Sequence, residues 1–139
     1  MTNYLLEPEV AGGLGPGSQM ERSGARLAVT RLNYEFEDWL GDDLLETFPC
    51  YVVTARLRDG LAASGLTGFR FADVEVTTGE EFHEWHPEPL PRFVWLQVVG
   101  VAGQDDLWTT EHGRLAVNDR ALALLRTFAI DNCLVHEAA

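Results

Sequence analysis

A chain that writes one pattern twice is restricted to folds with two comparable places to put it. Val53-Thr54-Ala55-Arg56-Leu57, with Leu61 after it, is echoed by Val117-Asn118-Asp119-Arg120-Ala121, with Leu125 after it. Each reads as a strand end, an N-capping Thr or Asn, and a helix with its apolar residues on one face. The echo continues past the helices. Phe69 to Val76 is matched by Phe128 to Val135, and in both the apolar alternation changes phase, across Ala72-Asp73 and across Asp131-Asn132. The caps lie 64 positions apart, from 54 to 118, but the strands only 59, from Phe69 to Phe128. On that spacing the second unit is 5 residues shorter and lacks a counterpart of Ala63 to Thr67. Strand–cap–helix–strand is a common unit, so coincidence outweighs duplication. Either origin packs helices on a sheet.

Around these units, Tyr4 to Val10 predicts a short first strand. Residues 11–24 hold a glycine-rich run that predicts a flexible loop. Leu27 to Phe36 predicts a strand with Leu32, Tyr34 and Phe36 on one face. Glu37 to Phe48 reads as a turn or short helix dense in carboxylates. Thr78-Gly79-Glu80-Glu81 predicts a capping box opening a short helix that Pro87 ends. Phe93 to Val101 is the best candidate for a central strand, and Ile130 to Val135 for the last one. No linker divides the chain. The expectation is an α+β fold in a single domain over 1–139, a mixed, mainly antiparallel sheet carrying two amphipathic helices, with two degenerate strand–helix–strand units as one way to build it.

Composition excludes several functions. A net charge of −12 opposes sequence-independent nucleic-acid binding and anionic membrane surfaces, and favours a basic partner or simple solubility. No apolar run approaches the length of a membrane span. The first residues lack a basic segment followed by an apolar one, which predicts a cytoplasmic protein. All 10 basic residues are arginines. Schiff-base chemistry and a phosphate-loop lysine are therefore absent. Cys50 and Cys133 sit in apolar runs and read as small core residues.

No catalytic constellation stands out, and no cofactor is implied. Ser18, Ser23 and Ser64 lack a nucleophile-elbow context. His83 and His86 are three apart on a short helix, and a metal-assisted hydrolase would need His112 or a carboxylate as third ligand. Two surface histidines are the simpler reading, and no metal ligand set is assigned. Carboxylates are the richest resource. One cluster runs from Glu35 to Glu46, the other from Asp73 to Glu88, and neither contains an arginine. Trp39 lies inside the first and Trp85 inside the second. An exposed tryptophan among carboxylates is an anchor within a steering field. The candidate partner-binding residues are therefore Asp38, Trp39, Asp42, Asp43, Glu46, Glu80, Glu81, Glu84 and Trp85, facing a basic protein. A buried role competes for both tryptophans, most strongly for Trp39.

Tyr4-Leu5-Leu6, Asp42-Asp43-Leu44-Leu45, and Val53-Thr54-Ala55-Arg56-Leu57 running through Gly65 to Phe69 into Val74-Glu75-Val76 resemble immunity protein family eleven, small acidic proteins of bacterial polymorphic-toxin systems. The resemblance is concentrated in positions 42 to 76 and rests on a strand–cap–helix–strand pattern. It implies a non-enzymatic protein that neutralises a basic toxin or effector domain by direct binding, with no catalytic residue to carry over. The competing expectations are the hydrolase using His83, His86 and His112, and an accessory interaction domain for another basic protein.

Overall fold

The computed structural model describes residues 2–24 and 26–138. The first half of the chain runs β1 (Asn3–Glu7), β2 (Gly12–Leu14), β3 (Gln19–Ser23), β4 (Arg26–Arg31), β5 (Asn33–Phe36), β6 (Leu44–Thr47), β7 (Cys50–Thr54), α1 (Ala55–Ala63) and β8 (Phe69–Ala72). The remainder runs β9 (Glu75–Thr78), α2 (Phe82–Trp85), β10 (Phe93–Val98), β11 (Leu107–Thr109), β12 (Leu115–Asn118), α3 (Asp119–Leu125) and β13 (Leu134–Glu137). This is an α+β fold, but with several sheets and a third, four-residue helix. Two four-stranded antiparallel sheets carry it, in the orders β6-β7-β10-β8 and β11-β12-β1-β13. A third sheet, β2-β5-β9, includes the parallel pair β5–β9, and β3–β4 is a hairpin.

The repeated pattern occupies equivalent places in the two larger sheets. Thr54 ends β7 and its Oγ1 accepts the Leu57 N–H at 3.3 Å; Asn118 ends β12 and its Oδ1 accepts the Ala121 N–H at 3.0 Å. Each cap satisfies one donor that the first helical turn leaves free. Strand β10 lies between β7 and β8, and β1 lies between β12 and β13. Each half of the chain thus completes the other's sheet. Ala72 stands opposite Trp95, and His136 opposite Leu5, in matching registers. Caps and final strands are therefore both 64 positions apart, 54 to 118 and 72 to 136. The shorter spacing expected from Phe128 is wrong because Phe128 is not in a strand. It lies in the turn after α3, where its ring covers Gly60 of α1 so closely that a Cβ there would overlap it.

Sheet β6-β7-β10-β8 is covered on both faces, and strand alternation divides its residues between two cores. Tyr51, Val53, Val94 and Leu96 face one core with Leu57 and Leu61 of α1 and Ala121, Leu122 and Leu125 of α3. Cys50, Val52, Phe93 and Trp95 face the other, with Leu32, Tyr34, Phe36, Leu45 and Phe82. Burying one Leu or Phe side chain fully stabilises by roughly 1.5–3 kcal/mol. The phase change at Ala72-Asp73 is where the chain leaves this sheet for β9 in the third sheet.

Three local expectations change. The stretch 11–24 is not a loop throughout: β2 pairs with β5, and β3 with β4. Gly12 is required there because a Cβ would overlap the Glu35 carbonyl across the pair. Leu44–Thr47, read as turn or helix, is a strand, since Leu44 and Leu45 bury into opposite cores. Thr78 ends β9 instead of capping α2, which starts after Glu81 with no side-chain cap.

Candidate partner-binding surface

The nine residues proposed from sequence divide sharply on folding. Asp42 and Asp43 are each only 1% exposed and are internal fasteners rather than contact residues. Asp43 precedes β6, opposite Thr54. Its Oδ1 accepts the Thr54 hydroxyl at 2.6 Å and Arg56 Nε at 2.7 Å, while Oδ2 accepts Arg56 Nη2 and the Ala129 N–H, both at 2.7 Å. Burial pushes its pKa up, but the hydrogen bonds from Arg56, Thr54 and Ala129 outweigh it and leave the carboxyl below its ordinary value. Asp42 accepts the Asn132 N–H at 2.8 Å and Asn132 Nδ2 at 3.0 Å. Trp39 is half-buried: its Nε1 donates to the Asp42 carbonyl at 2.9 Å, and its ring meets Phe93 edge-on. Asp38 is exposed but turns back to accept the Trp39 N–H at 2.7 Å.

Asp106, which the sequence reading passed over, does for the second unit what Asp43 does for the first. It accepts Asn118 Nδ2 at 2.7 Å and the Thr67 N–H at 2.9 Å, with Arg120 at 4.0 Å. The two aspartates are cross-connected, because Asp43 holds the segment after α3 and Asp106 the segment after α1. The signal was present: Asp43 stands 11 positions before its cap and Asp106 stands 12 before its own. Aligning the repeats backwards from Thr54 and Asn118 finds it.

The second cluster stays at the surface and gains members from the first. Phe36 of β5 pairs with Thr78 of β9, and the Gly79 N–H donates to the Phe36 carbonyl at 2.8 Å. That parallel pairing sets the ends of both strands side by side. Glu35 and Glu37 thereby meet Glu80 and Glu81 around a depression of about 560 Å³, with Trp85 on its rim. Phe82, 1% exposed, anchors α2 in the second core, whereas Trp85 is 69% exposed. Among the described residues no arginine lines the depression. Glu84 is exposed on the same helix but does not line it. Exposed like charges so placed generate a negative field that reaches about a Debye length, ~8 Å at physiological salt. Glu46 lies elsewhere, half-buried on β6.

The histidines do not converge. His86 stacks on Phe82 with ring centroids 5.2 Å apart, and His83 lies on the outside of the same helix. His112 is on the β11–β12 turn beside Glu111. Among the described residues no three His, Cys, Asp or Glu side chains form a group able to hold a metal ion. Burial pushes the Cys50 thiol up to about 12, and burial with the Asp42 charge pushes Cys133 up to about 11.

No family model matches this chain, and no curated protein matches it. No helix among the described residues is long and apolar enough to cross a membrane.

Proposed function

We propose that this chain is an immunity-type binding protein that neutralises a basic toxin or effector domain in the bacterial cytoplasm by covering it, with the Trp85 depression as a docking surface. The observation that carries this reading is Trp85, 69% exposed among four carboxylates with no arginine lining the site among the described residues. Leaving a tryptophan in water forgoes burial free energy that a partner recovers on docking. The surrounding glutamates accelerate encounter with a cationic surface and discriminate against acidic ones. The resemblance to immunity protein family eleven points the same way. The chain's charge of −12 suits a basic partner.

Affinity capture from the source bacterium at low salt, followed by kinetics with the captured protein, tests the reading. A basic partner is expected. Trp85→Ala should weaken it roughly tenfold or more, chiefly through faster dissociation. Glu80→Gln with Glu81→Gln should slow association, with the deficit vanishing at high salt. A captured partner indifferent to both variants would sink this surface assignment.

A further inference from the structure

Single exposed apolar side chains are ordinary; their convergence is not. Val10 (66% exposed), Leu40 (65%), Phe48 (57%) and Leu134 (60%) come from four separate segments and line one groove of about 1010 Å³. Val10 follows β1, Leu40 precedes β6, Phe48 sits in the β6–β7 turn and Leu134 opens β13. The groove also contains four carboxylates, Glu7, Glu9, Glu46 and Asp131, beside Arg114, and two of the four are already engaged. Glu7 holds Arg114 at 3.1 Å and His136 at 2.7 Å. Glu9 accepts the Leu40 and Asp42 N–H groups at 2.8 and 3.3 Å. Glu46 is different. It is half-buried at the groove wall and accepts no side-chain hydrogen bond among the described residues. Burial pushes its pKa up, and the charge of nearby Arg114, which Glu7 already holds, offsets this only in part.

The groove adjoins the Trp85 depression. Glu37, which lines the depression, and Asp38 both donate their N–H groups to the Ala11 carbonyl, at 2.9 and 3.2 Å. Ala11 follows Val10, and Leu40 comes two residues after Asp38.

From this geometry we infer that the groove is a second docking site, for a segment of the basic partner that seats apolar side chains on Val10, Leu40, Phe48 and Leu134 and places one arginine or lysine against Glu46. The inference rests on the reading of the chain as a binder of a basic protein. It differs from the Trp85 surface in requiring apolar residues as well as charge. Charge complementarity selects this occupant: four carboxylates share the groove with one arginine, which is held by Glu7, and half-buried Glu46 accepts no hydrogen bond from it among the described residues, so a further cation is favoured.

The test is a titration of the ¹⁵N-labelled full chain with a synthetic peptide alternating arginine and leucine, compared with all-arginine and glutamate–leucine peptides. Amide shifts are expected at Val10, Leu40, Glu46, Phe48 and Leu134 with the arginine–leucine peptide. Glu46→Gln, which keeps the side-chain shape, should weaken that response roughly tenfold or more. Trp85→Ala should leave it in place, so loss of the Trp85 surface and loss of the groove are read separately. Groove shifts alongside a silent Trp85 depression would support the groove and count against the docking surface proposed above. Shifts confined to the Trp85 depression, an equal response to all-arginine peptide, or indifference to Glu46→Gln would overturn the inference. So would concentration-dependent dimerisation abolished by Phe48→Ala, which would give the groove to a second copy of the chain.

Discussion

Replacing Asp43 with Ala removes the acceptor of four side-chain-directed hydrogen bonds at one stroke. Their loss is unequal. Arg56 is 67% exposed at its side chain and recovers water, so its share is small. The Thr54 hydroxyl and the Ala129 N–H are more enclosed, and each loses its acceptor. A buried donor left unmatched costs about 1–3 kcal/mol, which puts Asp43→Ala at about 3–4 kcal/mol. That is a large share of a typical domain's stability of about 5–15 kcal/mol. Arg56→Ala should cost about 1 kcal/mol or less by the same reasoning. Urea unfolding followed by tryptophan fluorescence measures both, with Asp43→Asn as a shape-preserving companion. Equal losses from Asp43→Ala and Arg56→Ala would refute the account, because the ion pair rather than the buried donors would then be dominant.

The same residue sets a pH dependence of known sign. Its folded-state pKa lies below the ordinary aspartate value of 3.8. The stabilisation is therefore complete above that value and is lost as pH falls through the folded-state pKa. Asp106 is held below its ordinary value too, by Asn118 and Thr67 against the opposing effect of burial, and acts in the same window. The stability gap between wild type and Asp43→Ala should narrow in acid, and a gap constant to pH 2 would contradict the assignment.

Trp85→Ala should leave stability within about 0.5 kcal/mol of wild type, since the side chain is mostly in water; a larger loss in thermal unfolding would mean that it packs more than its exposure indicates. Asn118→Ala should cost about 1–2 kcal/mol, because it strands the Ala121 N–H at the start of α3 and deprives Asp106 of a donor at 2.7 Å. Cys50 and Cys133, with thiols raised to about 12 and about 11, should resist iodoacetamide at pH 8 in the folded chain and react readily in urea. Fast native labelling at Cys50 would show that its core opens easily.

What the sequence disclosed was local, and what it concealed was set by long-range pairing. The caps Thr54 and Asn118 and the apolar faces of α1 and α3 follow from side-chain chemistry within one turn of helix. The central place of β10 follows from its continuous apolar run. By contrast, β2 is a strand only because β5 lies beside it, and no property of Gly12 to Leu14 alone announces that. Phe128 misled for a related reason. An aromatic residue at the spacing of Phe69 is also what a turn needs to cover a glycine on the neighbouring helix. For the candidate site, composition located the acidic segments but not their exposure. Glu35 and Glu80 become neighbours only through the β5–β9 pairing, 45 positions apart in the chain.

The buried aspartates and the glutamates of the depression do different work, and that division locates scaffold and surface. Asp42, Asp43 and Asp106 are buried, and the short aspartate arm holds each oxygen where a facing N–H or cap can reach it. The depression beside Trp85 is lined instead by four glutamates, whose longer and freer side chains adapt to an incoming cation. Glu9 is buried too, and it bridges two N–H groups two residues apart. The segments between β1 and β6 and between β8 and β10 build the third sheet and α2, and they carry every glutamate of the depression. The two interlocked units supply a stable frame, and the segments outside them supply the surface. On this division, changing Glu35, Glu37, Glu80 and Glu81 together to Gln should preserve folding while abolishing electrostatic steering of a basic partner. Changing the buried aspartates should do the reverse near neutral pH, lowering stability while leaving the steering glutamates in place.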